Sequence, residues 1–115
     1  MRKRLFNISS VIIVYVFLAL IIGCSRTPVK ELIKDLGSED EGVRTRAKSA
    51  LVKVGTPAVV HLIVALKDVN ERTRAGAALA LGELKDPRAV KPLTAALKDE
   101  HPSVQKAAKS ALEQF

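Results

Sequence analysis

Three stretches of the chain repeat one order of apolar and polar positions: GVRTRAKSALVKV (42–54), RTRAGAALALGEL (72–84) and SVQKAAKSALEQF (103–115). With Val43, Thr73 and Val104 as equivalent starts, an offset of four gives Ala47, Ala77 and Ala108. Offset seven gives Ala50, Ala80 and Ala111. Offset eight gives Leu51, Leu81 and Leu112, and offset eleven Val54, Leu84 and Phe115. These offsets trace one continuous stripe on an α-helix. A second stripe precedes each: Val29, Val59 and Val90, then Leu32, Leu62 and Leu93, then Leu36, Leu66 and Leu97. The pattern predicts three helical hairpins, with starts 30 and 31 residues apart, a spacing typical of stacked repeats.

The punctuation agrees. Thr27-Pro28, Thr56-Pro57 and Asp86-Pro87 read as starts of the first helices, because Thr or Asp accepts an unpaired N–H and proline fits the first helical turn. The second helices are expected to start near Asp40, Asn70 and His101-Pro102, after turns at Gly37, Asp68-Val69-Asn70 and Asp99-Glu100-His101. Pro92 falls inside the third first-helix and removes a backbone donor, so a bend is expected there.

Residues 28–115 resemble HEAT repeats, particularly the short bacterial type seen in relatives of phycobilin lyases. VRTRAKSAL, DPRAVKPLTAALKD (86–99) and the period carry the resemblance; Thr73, where an aliphatic residue is usual, and Gln105, at the position of Arg44 and Arg74, depart from it. The resemblance implies an all-α fold, an α-solenoid of three hairpins.

The first 23 residues read differently. Arg2, Lys3 and Arg4 precede twelve consecutive apolar residues, Val11 to Ile22, and then Gly23-Cys24. A positive start, an apolar run of this length and a small residue describe a secretory signal. The span from Leu5 to Gly23 is also about 28 Å as a helix, so length alone leaves an uncleaved anchor open. Ile21-Ile22-Gly23-Cys24 resembles the lipobox of bacterial lipoproteins. That resemblance implies cleavage before Cys24 and acylation of its sulfur, which accounts for a chain with a single cysteine. The expected organisation is a signal peptide at 1–23, an acylated end and short linker at 24–27, and the repeat domain at 28–115. The expected location is the exported side of the cell membrane, periplasmic in a Gram-negative cell.

Composition narrows the chemistry. Setting aside Arg2, Lys3 and Arg4, 16 basic residues face 12 acids. That balance does not imply nucleic acid. Phe115 is the sole aromatic after Cys24. His61 and His101 read as a solvated residue and a helix-start residue, and two histidines with one cysteine give no metal-ligand spacing. No catalytic constellation or phosphate loop stands out, so no enzyme activity, metal or cofactor is expected.

Two surface features bear on partners. Arg44, Arg46, Lys48, Lys53, Arg72, Arg74, Lys106 and Lys109 form a basic ridge that reads either as a solvated face, with Arg44 and Arg74 bonded to turn acids such as Asp68, or as a site for an acidic partner or anionic lipid headgroups. AGAALALG (75–82) reads as a buried middle helix, or as a groove in which Ala75, Ala78, Leu79 and Gly82 take a partner's apolar segment. The candidate contact set is Arg46, Lys48, Ala75, Ala78, Leu79, Lys106 and Lys109, facing a protein partner, with membrane attachment through Cys24. The competing expectation, implied by the phycobilin-lyase resemblance, is a chromophore- or cofactor-handling protein.

Overall fold

The computed structural model describes residues 29–115, so the expected signal segment, Cys24 and the linker lie outside the described residues. Six α-helices pair into three hairpins. They are α1 (Val29–Leu36) with α2 (Glu41–Val54), α3 (Thr56–Ala65) with α4 (Glu71–Leu84), and α5 (Val90–Ala96) with α6 (Pro102–Leu112). A 3-10 turn, Pro87–Ala89, leads into α5. First helices form one layer and second helices the other, as the two stripes require.

The stripes meet in one core. Leu36, Leu51, Leu62, Leu81, Leu93, Val59 and Val104 are its largest fully enclosed side chains, with Ala47, Ala77, Ala80, Ala108 and Ala111 between them. Each enclosed leucine contributes roughly 1.5–3 kcal/mol relative to exposure. Alanine at the intervening positions brings the helix backbones close together. Thr73 is buried too, at a position otherwise held by valine.

Within each hairpin the same bonded turn recurs. The side chains of Ser38, Asp68 and Asp99 accept the backbone N–H of Asp40, Asn70 and His101, at 3.1, 2.9 and 2.9 Å. Six residues after each turn acceptor, a long side chain reaches back. Arg44, Arg74 and Gln105 donate to the carbonyls of Ser38, Asp68 and Asp99 at 2.7, 2.7 and 2.6 Å. Gln105 therefore does for the third turn what arginine does for the other two. Asp40 caps α2 through the N–H groups of Gly42 and Val43, and Asn70 caps α4 through Arg72. His101 stands at the cap of α6 without a side-chain cap bond.

Of the expected starts of the first helices, Thr27-Pro28 lies outside the described residues and the one at Thr56 differs from expectation. Thr56 is the first residue of α3, and Gly55 holds the cap position with no side-chain bond. Gly55 closes α2 and opens α3 at φ 77°, ψ −139°, a conformation in which a side chain would be strained. One residue is thus the whole connection. Lys85 holds the equivalent place after α4 at φ 52°. Asp86 does cap its helix, accepting from the Arg88 N–H at 2.9 Å. The Arg88 side chain and N–H together hold the Asp86 carboxyl down at about 2.

The expected bend at Pro92 takes the form of a divided helix. Pro92 offers no N–H to Arg88, and the segment runs as a 3-10 turn followed by a seven-residue helix where α3 is continuous over ten. Phe115 also departs from the stripe. α6 stops at Leu112, and Phe115 lies beyond it, 46% exposed, with no described helix to cover it. Val90 and Leu97 are part-exposed at the same end for that reason, although their counterparts Val59 and Leu66 are buried.

Candidate functional site

The second helices do not pack evenly against each other. Gly82 on α4 is buried, and an added Cβ there would stand 2.7 Å from the Ala111 Cα on α6. Only glycine admits that approach, so α4 and α6 meet backbone to backbone. On its other side α4 meets α2 across a gap. The Leu36 side chain lies beneath Gly76, 3.1 Å from where a Cβ would be.

The gap is a groove of about 220 Å³ lined by Leu36, Ala75, Gly76 and Leu79, with Arg44, Lys48, Arg72 and Ser103 around it. Lys48 Nζ reaches the Glu83 carboxylate on α4 at 2.9 Å, an ion pair that links the two helices. Arg44 is committed as well, its guanidinium donating to the Ser38 and Glu39 carbonyls at 2.7 and 2.8 Å. Arg72 is exposed on the rim. The result is a shallow apolar floor with positive edges.

The candidate contact residues separate accordingly. Lys48, Ala75 and Leu79 are brought together at the groove. Ala78 is fully buried, so it belongs to the core and offers a partner nothing; the expectation that it lines a groove is corrected. Gly82 likewise faces Ala111 rather than solvent. Arg46 is exposed on α2 and donates to the Gly42 carbonyl of its own helix at 3.3 Å. Lys106 and Lys109 are exposed on α6 and do not line the groove. The basic ridge is therefore partly neutralised and partly spent on turns.

Sequence reading put Arg72 on the basic ridge and Gly76 in the small-residue helix, but did not join them with Leu36 in one groove. Arg72 and Gly76 fall on one helical face with Leu79, a periodicity open to inspection. Leu36 comes from another helix, and no local pattern announces it.

Arg74 shows a further role. It donates to Asp68 and Val69 carbonyls at 2.7 and 3.2 Å and grips the Asp99 carboxylate through Nε and Nη2 at 2.9 and 3.2 Å. The expected arginine–acid ladder exists here, but Asp68 contributes its backbone oxygen and Asp99 the carboxylate. Between the first two hairpins Asn70 does the joining, donating to the Gly37 carbonyl at 3.1 Å. Partial burial pushes the Asp99 carboxyl up, yet the bonds from Arg74 and the His101 N–H outweigh it and hold it below the usual range.

Stacked hairpins of this length, joined turn to turn by such a side-chain ladder, have a known family. Residues 59–115 match the family described as HEAT repeats. This is a HEAT-repeat protein. The HEAT register extends back through α1 and α2, whose turn and reaching arginine duplicate those of the second hairpin. The chain is 38% identical over 82 residues to the bilin biosynthesis protein RpcF of Synechococcus sp. (strain WH8020). The matched part is 70% of this chain and 39% of that relative, so the HEAT stack corresponds to well under half of the cyanobacterial protein.

Among the described residues no three His, Cys, Asp or Glu side chains converge as a metal site. No helix among them is long and apolar enough to cross a membrane. Every buried side-chain nitrogen and oxygen among them has a hydrogen-bond partner.

Proposed function

We propose that this HEAT stack is a protein-interaction module at the bacterial cell envelope, held to the membrane by lipid on Cys24. The α2–α4 groove takes the partner. The observation that carries the reading is the groove itself, an apolar floor of Ala75, Gly76 and Leu79 edged by Arg72 and Lys48. Such a surface suits a segment with small apolar side chains and flanking acids, which would compete with Glu83 for Lys48. A photo-crosslinker at Leu79, used in intact envelopes, should trap a defined protein, and Arg72→Glu should abolish that product. Equal crosslinking with and without Arg72→Glu would refute the groove as the docking site.

The likeness to a bilin biosynthesis protein supports a second reading, in which the stack handles a linear tetrapyrrole. The second-helix face lacks aromatic side chains to stack on one, since Phe115 is the only aromatic after Cys24 and lies outside the groove. Absorbance of the purified chain after incubation with a bilin separates the two. A stoichiometric, red-shifted complex would establish chromophore handling over protein docking.

A further inference from the structure

The layer of first helices has an outer face with its own pattern. In the register of the repeats, Lys30, Val60 and Lys91 are equivalent, then Lys34, Val64 and Ala95, then Gly37, Lys67 and Lys98. The five lysines are all exposed. Val60 and Val64 are 54% and 69% exposed, although the repeat stripe has no need of them in the core. None of the nine positions is acidic. From Thr56 to Lys67 and from Pro87 to Lys98 there is no acid whatever. Glu31 and Asp35 lie to one side on α1, at positions held by His61 and Ala65 in α3.

These residues are neighbours in space as well as in register. Lys30, Val60 and Val64 line one groove of about 340 Å³ between α1 and α3, with the turn acid Asp68 at its edge. Lys67, Lys91 and Ala95 line the next, between α3 and α5, together with Asp99, whose carboxylate is paired with Arg74, and Lys91, Ala95 and Lys98 line a third along α5. The face is thus a field of lysines around a low apolar ridge.

We infer that the outer face of α1, α3 and α5 lies against an anionic phospholipid surface. The charge is complementary: lysine heads reach phosphate while their stems cover the apolar ridge. Val60 and Val64, both exposed, supply the apolar contact at the headgroup boundary. A partner protein with matching acids is the other occupant for such charges. Chain length favours lipid, on the tether proposed above: Cys24 precedes α1 by so few residues that an extended link spans at most about 18 Å. The first hairpin is then held within reach of the bilayer, with this layer carrying the charge that suits it. The α2–α4 groove, on the opposite layer, is left facing away from the membrane.

The test uses the full chain, produced with its native processing and reconstituted in vesicles. A polarity-sensitive label is attached at Val64→Cys, at Ala95→Cys, or at Ser49→Cys on α2. In vesicles of phosphatidylethanolamine and phosphatidylglycerol, the first two labels should be quenched by a lipid-borne quencher and the Ser49 label should stay in water. High salt, phosphatidylcholine vesicles, or Lys67→Glu with Lys91→Glu should shift the docking equilibrium at least about tenfold toward undocked. Equal hydration of all three labels overturns the inference, and so does a lipid-exposed Ser49 label. Equal docking on phosphatidylcholine overturns the electrostatic basis. Label-to-label energy transfer with no lipid quenching assigns the face to a second copy. The mass of the N-terminal peptide reports acylation separately, so a failed lipid anchor is distinguished from a face that does not dock.

Discussion

Arg74 and Asp99 are 25 residues apart in sequence and form a two-pronged ion pair between successive turns of the stack, at 2.9 and 3.2 Å. Their side chains are only 9% and 13% exposed. The same guanidinium satisfies two carbonyls of its own turn. Arg74→Ala should therefore cost about 3 kcal/mol, because it strands a carboxylate and leaves two carbonyls without their donor. Arg74→Lys should recover less than half of this, since a point charge cannot serve both turns. Urea unfolding followed by circular dichroism gives both values.

The Asp99 carboxyl is held below its ordinary range. A carboxyl depressed in the folded state contributes stability that is fully present above its unfolded value of about 3.9 and disappears as pH falls through the lower folded value. Asp99→Asn should thus be less stable than the parent at neutral pH, and the gap should narrow steadily as the solution is acidified below about pH 4. A gap constant with pH would show that the charge contributes nothing.

Gly82→Ala tests the close approach of α4 and α6. The new methyl would meet backbone, the Ala111 Cα at 2.7 Å, so the helices must separate and stability should fall by about 2 kcal/mol. Gly76→Ala is the control. Its methyl meets only the Leu36 side chain, at 3.1 Å, and the helical gain of alanine offsets the crowding, leaving a change under about 0.5 kcal/mol.

Gly55 and Lys85 occupy equivalent links, both with positive φ. Gly55→Ala should destabilise by at least about 1 kcal/mol although open space surrounds the site, because the cost lies in the backbone. Lys85→Gly should do the reverse and raise the midpoint of thermal unfolding, gaining up to about 1 kcal/mol.

Cys24→Ser should leave an unacylated precursor of higher mass than the processed chain if the lipobox reading holds. Mass spectrometry of the membrane fraction reads this directly, and an unchanged mass with unchanged acylation would remove the tether from the proposal.

The sequence by itself determined the hairpins. Apolar residues three and four apart define a helix face whatever the neighbours are, and Asp40 and Asn70 mark helix starts through bonds to residues beside them. Register alone also placed Arg44 and Arg74 at their turns. Folding decided what lies between helices. Whether Ala78 or Leu79 reaches solvent depends on how nearly α6 approaches α4, and that distance is set by Gly82 against Ala111. Whether an arginine finds an acid of its own turn or the next depends on the stacking angle, which placed Asp99, not Asp68, in front of Arg74. Periodicity is a property of one segment. The groove, the ladder and the lysine face are properties of several segments brought side by side by burial of their shared stripe.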